Sequence, residues 1–170
     1  MILRSMLVAA VALVAALPTR AAGIAGPHVS VASINDLTVP DRVFDGVGDA
    51  DRAVDAALAN AARDHKLVLV DLGADWCADC RILSAVMALP EVSTFLNAHY
   101  ETAVVNVGRM NKNLQVPARF GVIDKLEAVP AILIVTPDGT LANRGHVEAL
   151  VDARRMTPQG ISDWLASWAR

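Results

Sequence analysis

The sequence predicts an α/β domain, a central mixed β-sheet with helices on both faces. Two runs, Leu67–Leu72 and Ala131–Val135, are almost continuously apolar and rich in Val, Ile and Leu, the pattern of strands buried on both sides. Segments with apolar residues at helical spacing alternate with these runs. Cap and turn residues stand at the joints between them. Helices interleaved with buried strands pack as layers around a sheet.

The elements follow in order. Asp49 can cap a helix running to about Arg63, with Ala53, Val54, Ala57, Leu58 and Ala61 on one face. Leu67-Val68-Leu69-Val70-Asp71-Leu72 reads as a central strand in which the charged Asp71 is an anomaly. A helix is expected over Arg81–Met87, broken before Pro90, and another over about Glu91–Ala98. Thr102–Val107 is the next strand, Asn111-Lys112-Asn113 a turn and Val116–Phe120 a short helix. After the strand Ala131–Val135, Thr136-Pro137-Asp138-Gly139 has turn chemistry, and Thr140 to about Val147 is expected to return as an antiparallel strand. The last helix has Thr157 as N-cap, Pro158 in its first position and Ile161, Trp164, Leu165 and Trp168 on one face.

The start of the chain reads as an export signal over residues 1–22. Arg4 precedes the apolar run Met6–Leu17, Pro18 breaks it, and small residues follow, so cleavage is expected somewhere between residues 21 and 25. A run of this length is short of the roughly 20 residues a membrane span needs, so no stable membrane insertion is expected after its removal. Residues 23–48 look like an extended arm, with a short edge strand near Phe44, and residues 49–170 form the domain. The mature protein is expected in the periplasm, where disulfides persist.

Without residues 1–22 the chain carries 13 basic against 18 acidic residues. An acidic protein without a basic stripe is not expected to bind nucleic acid, and one Tyr and three Phe supply no stacking platform for bases. Gly46-Val47-Gly48 lacks the rest of a nucleotide-binding fingerprint. No cofactor is expected.

Cys77 and Cys80 are the two cysteines. A bridge between residues three apart closes so small a loop that it constrains the unfolded chain little. Such a pair suits switching. A strand ending near Leu72 and a helix after it place Cys77 at a helix N-terminus, where free N–H groups and the dipole favour a thiolate. Cys80 lies one turn on, within disulfide reach. Cys77 is the expected exposed attacker, and Cys80 the shielded thiol that resolves the mixed disulfide. Trp76 is expected to pack beside the cysteines and shape a docking surface.

Val70-Asp71-Leu72-Gly73-Ala74-Asp75-Trp76-Cys77-Ala78-Asp79-Cys80 resembles the active-site segment of the thioredoxin superfamily, above all the C-terminal domains of DsbD-type disulfide reductases and exported thioredoxin-like proteins. Val129-Pro130-Ala131-Ile132-Leu133 is similar to the family's cis-proline loop and strand, and Pro137-Asp138-Gly139 to its hairpin turn. The resemblance spans roughly residues 49–169 and implies a thioredoxin-like fold. It implies a cis bond before Pro130, with the Val129–Pro130 backbone free to pair with a substrate strand. It also implies a role for Asp71 as the buried acid that takes the proton of Cys80; a purely structural acid is the alternative.

Two departures matter. Ala78-Asp79 replaces the family's usual Gly-Pro, and the strand Thr102–Val107 has no lysine to accompany Asp71. Asp75 and Asp79 place negative charge near Cys77, which opposes a thiolate and favours a reducing couple, although Asp79 also reads as a solvated first-turn acid. The expected activity is thiol–disulfide exchange with protein thiols and disulfides, as a reductant or isomerase, fed by a membrane-embedded thiol donor. Residues 108–128 form a long connection that either flanks the redox pair or is a neutral surface loop. Copper or zinc binding by the two thiolates is a second reading, with His28, His65, His99 and His146 available but at no ligand spacing. A non-catalytic binding module on the same scaffold is a third.

Overall fold

The structure is a computed structural model and describes residues 24–122 and 126–170; the expected export signal and most of its expected cleavage window lie outside the described residues. The elements are α1 (Ala50–Asp64), β1 (Leu67–Gly73), α2 (Ala78–Met87), α3 (Pro90–His99), β2 (Tyr100–Asn106), α4 (Gln115–Arg119), β3 (Ala131–Val135) and α5 (Pro158–Ala166). β1 is central, parallel to β2 and antiparallel to β3, so the sheet is mixed. All seven residues of β1 are buried, Asp71 among them, as its almost continuously apolar run leads one to expect.

Side chains alternate across a strand, and that alternation assigns the two faces. Val68, Val70 and Leu72 join Val54, Ala57 and Ala61 of α1 and Ala103 and Val105 of β2 on one side. Leu67 and Leu69 join Leu83 and Val86 of α2, Leu96 of α3, and Ile161 and Leu165 of α5 on the other. Asp71 continues the second series and so points under α2. The cap residues stand where the sequence puts them: Asp49 accepts from the N–H of Arg52 at 2.9 Å, and Thr157 from that of Gly160 at 3.0 Å.

Two expectations fail. Residues 140–147 do not form a strand, and only a single bridge joins Val135 to Leu141. Asn143 takes the ladder's place. Its fully buried amide accepts from Ile134 N–H at 2.9 Å and donates to Ile132 C=O at 2.8 Å, doing with a side chain what a strand does with its peptides. Val147 C=O receives the Ile132 N–H at 2.9 Å, after the chain has turned through Gly145 at φ 82°. The arm also lacks the edge strand expected near Phe44. It crosses α3 and α5 instead, with Ser30 bonded to Glu91 and Val29 N–H to Gln159, and Phe44 is buried as a plug.

Candidate active site

β1 ends at Gly73 and α2 begins at Ala78, so the intervening residues are the mouth of a strand–helix turn. The Cys77 N–H closes that turn on Ala74 C=O at 3.0 Å. Cys77 then caps α2, with extended backbone (φ −87°, ψ 109°) and its Sγ accepting from the Cys80 N–H at 3.1 Å. A sulfur thus sits where an N-cap oxygen usually does, and the same N–H and helix dipole would favour its thiolate. The two sulfurs are bonded as a disulfide, with their Cα atoms 5.3 Å apart. Cys77 is 6% exposed and Cys80 not at all. Cys77 is therefore less open than the attacker expected from the sequence, but it is the one of the two that reaches the surface.

Val129 C=O lies 3.5 Å from Cys77 Sγ, and the Val129–Pro130 peptide bond is cis. Pro130 is buried, while Val129 is half-buried against the cysteines. The loop before Pro130 is fastened by Glu148, whose Oε1 accepts from the N–H groups of Glu127 and Ala128 at 2.8 and 3.0 Å. Pro130, just before β3, and the cysteines, just after β1, thus meet at one end of the antiparallel pair, where Leu72 lies opposite Ala131.

Asp71 is buried, and desolvation pushes its carboxyl up from 3.8 to about 7. Its Oδ1 has no hydrogen-bond partner. It lines a cavity of about 270 Å³ together with Val43, Ser84, Met87, Thr102 and Val104, and no cation is among the lining residues. Among the described residues, no other element supplies a cation to this cavity in place of the missing lysine.

The two acids near Cys77 have partners that the sequence could not show. Asp79 is buried, not solvated: it accepts from Arg154 N–H at 2.9 Å and pairs with the Arg154 guanidinium at 3.3 Å. Its field at Cys77 is correspondingly offset. Burial pushes the Asp75 carboxyl up, but the N–H groups of Phe44, Val43 and Asp45 outweigh that and hold it below the ordinary carboxylate value. Trp76 is 51% exposed and its indole N–H donates to Gly108 C=O at 2.7 Å, which ties it to the 108–112 loop. Trp76, Asp75, Asn106, Arg109 and Lys112 line a cleft of about 420 Å³ there.

Phe44 is the functional neighbour that sequence reasoning missed. It is fully buried and clusters with Cys77 and Cys80. A Cβ on Gly73 would come within 2.4 Å of its ring, which is why β1 ends on glycine. Among the described residues, no three His, Cys, Asp or Glu side chains are grouped to hold one metal ion, and no helix is long and apolar enough to cross a membrane.

The thioredoxin-like family profile matches residues 49–137, more than half of the chain. The chain belongs to the thioredoxin-like family. This thioredoxin-like chain is similar to a solved disulphide isomerase from Xylella fastidiosa Temecula1, at 33% identity and a TM-score of 0.67, over 72% of this chain and 93% of that one. It is 33% identical over 118 residues to the thiol:disulfide interchange protein DsbD 1 of Pseudomonas aeruginosa, which takes in 68% of this chain. The thioredoxin-like chain spans only 17% of that relative's length. The oxidised C-terminal domain of DsbD from Neisseria meningitidis matches at 20% identity and a TM-score of 0.43, over 58% of this chain and 81% of that one.

Proposed function

We propose that this protein is a periplasmic thiol–disulfide oxidoreductase that exchanges disulfides with protein clients through Cys77 and Cys80, as a reductant or isomerase and not as a strong oxidant. One observation carries the reading: the disulfide caps the N-terminus of α2, with Cys77 Sγ on the Cys80 N–H and beside the Val129 carbonyl. The names of the Xylella and Pseudomonas relatives, disulphide isomerase and thiol:disulfide interchange protein, support it.

The exchange runs in two steps. Cys77 thiolate attacks a client disulfide, forming a mixed disulfide and releasing one client thiolate. Cys80 gives its proton to Asp71, attacks Cys77 Sγ and releases the second client thiolate. The client gains two electrons and the Cys77–Cys80 bond is restored. Asp71, held near neutral pH by burial, is matched to that proton transfer. Val129 and Pro130 offer backbone to the client strand, and Trp76 shapes the rim. A membrane-embedded thiol donor returns the electrons, and residues 1–22 direct the chain to that compartment.

The reducing lean rests on charge. Asp75 stays ionised close to Cys77, and among the described residues no cation lines the cavity of Asp71. Negative charge that disfavours the thiolate favours the disulfide, and a stable disulfide is a reducing couple. Thiol trapping tests the assignment. Cys80→Ser is expected to accumulate mixed disulfides with client proteins, and Cys77→Ser to trap none and lose turnover. Full turnover by either variant overturns the roles.

A further inference from the structure

The arm passes over the redox pair at residues 41–45, and its attachment there is specific. Asp75 Oδ1 accepts from the N–H groups of Val43 and Phe44 at 2.7 and 2.8 Å, and Oδ2 from that of Asp45 at 3.0 Å. From the far side, Asn106 Nδ2 donates to Phe44 C=O and to Asp45 Oδ1, both at 3.2 Å. Asn106 is itself fixed by the Gly108 N–H and by Asn113, at 2.8 Å each. The Arg81–Asp41 pair at 3.2 Å adds little, because Asp41 is 98% exposed.

These bonds press the Phe44 ring onto the end of β1 and against both cysteines. Phe44 is the one fully buried side chain in that cluster besides Cys80. The neighbouring Val43 lines the cavity that holds Asp71. A five-residue stretch of arm thus packs on the inner cysteine and helps wall the cavity that holds Asp71.

We propose that residues 41–45 are a strap that closes Cys80 to solvent and clients, leaving Cys77 as the sulfur a client can reach, and that Asp75 is the positioning residue that fastens it. The inference rests on the oxidoreductase reading and deepens it: the strap directs attack to one sulfur of the pair. Asp75 stands immediately before Trp76-Cys77. The segment that supplies the nucleophile therefore also holds the cover over its partner.

The test uses the full mature chain with Cys77→Ser, in which Cys80 is the remaining sulfur. Its alkylation by iodoacetamide is followed against pH, and the rate on the alkaline plateau, where the thiol is fully ionised, reports access and not ionisation. Adding Asp75→Ala removes three N–H bonds to the carboxylate and is expected to raise that plateau at least about tenfold, the factor that matches losing even one hydrogen bond to a charged group. Asp75→Asn keeps an acceptor oxygen for the Val43 and Phe44 N–H groups, so it is expected to restore most of the protection. Phe44→Ala is expected to exceed Asp75→Ala, and Phe44→Leu to stay near the parent. A plateau that is unchanged in every variant with native circular dichroism overturns the strap, and Asp75→Asn and Phe44→Leu are mild enough to keep folded comparisons available. Failure of the oxidoreductase reading would show separately, as no insulin reduction by the chain with both cysteines, because alkylation of Cys80 needs no turnover.

Discussion

Asp71→Asn is expected to flatten the pH dependence of stability in the disulfide-bonded protein. Burial raises the Asp71 carboxyl from 3.8 to about 7. Between those values the native state keeps a proton that the unfolded chain has released. Stability is therefore fully present below the unfolded value and falls as pH rises towards the folded one. The whole interval corresponds to about 4 kcal/mol, and the part between about pH 5 and pH 8 to about 3 kcal/mol. Urea unfolding of the oxidised protein and of Asp71→Asn at these two pH values measures it. The variant also removes the contribution of the four histidines from the comparison, because both proteins carry them. Asn introduces a buried amide of its own, but that cost does not change with pH, so the difference of differences isolates the carboxyl. A wild-type loss within about 1 kcal/mol of the variant's would refute the claim that desolvation raises the Asp71 carboxyl towards neutral pH.

Two further outcomes follow from packing. Gly73→Ala drives a Cβ to 2.4 Å from the Phe44 ring, so it is expected to destabilise by about 1–3 kcal/mol and to be relieved by Phe44→Leu; a double-mutant cycle in urea measures both. Asn143→Ala leaves the Ile134 N–H and the Ile132 C=O unpaired in the core and is expected to cost about 2–4 kcal/mol in the same assay, with hydrogen exchange at Ile134 accelerated.

The redox pair was legible because its determinants are local. Val70 to Cys80 carries the buried strand, the turn and the helix start in eleven consecutive residues, and continuous apolarity with a following cap needs no tertiary information. Asp71 stood out for the same reason, as one charge in a buried strand. The parts that escaped are the long-range ones. Phe44 finds Asp75 across 31 residues, and Arg154 finds Asp79 across 75. Nothing in the sequence near Asp79 distinguishes an acid paired inside from one facing water. Residues 140–147 misled differently: their residue types suit a returning strand, but one buried amide at Asn143 satisfies the edge of β3 and makes the strand unnecessary. The connection after β2 was expected either to flank the pair or to stand apart from it. Its first residues do flank Trp76, through Gly108, while residues 123–125 lie outside the described residues.

The proposed function rests on a reversible two-electron switch at Cys77–Cys80 that is poised on the reducing side. Equilibrating the mature protein in graded dithiothreitol buffers and counting free thiols by mass after alkylation reads it directly. A single two-electron transition is expected, with a midpoint nearer the roughly −270 mV of thioredoxin than the roughly −120 mV of a strong oxidant. A midpoint close to the oxidant's would contradict the reducing assignment, and cysteines that never re-form their bond would contradict the switch itself.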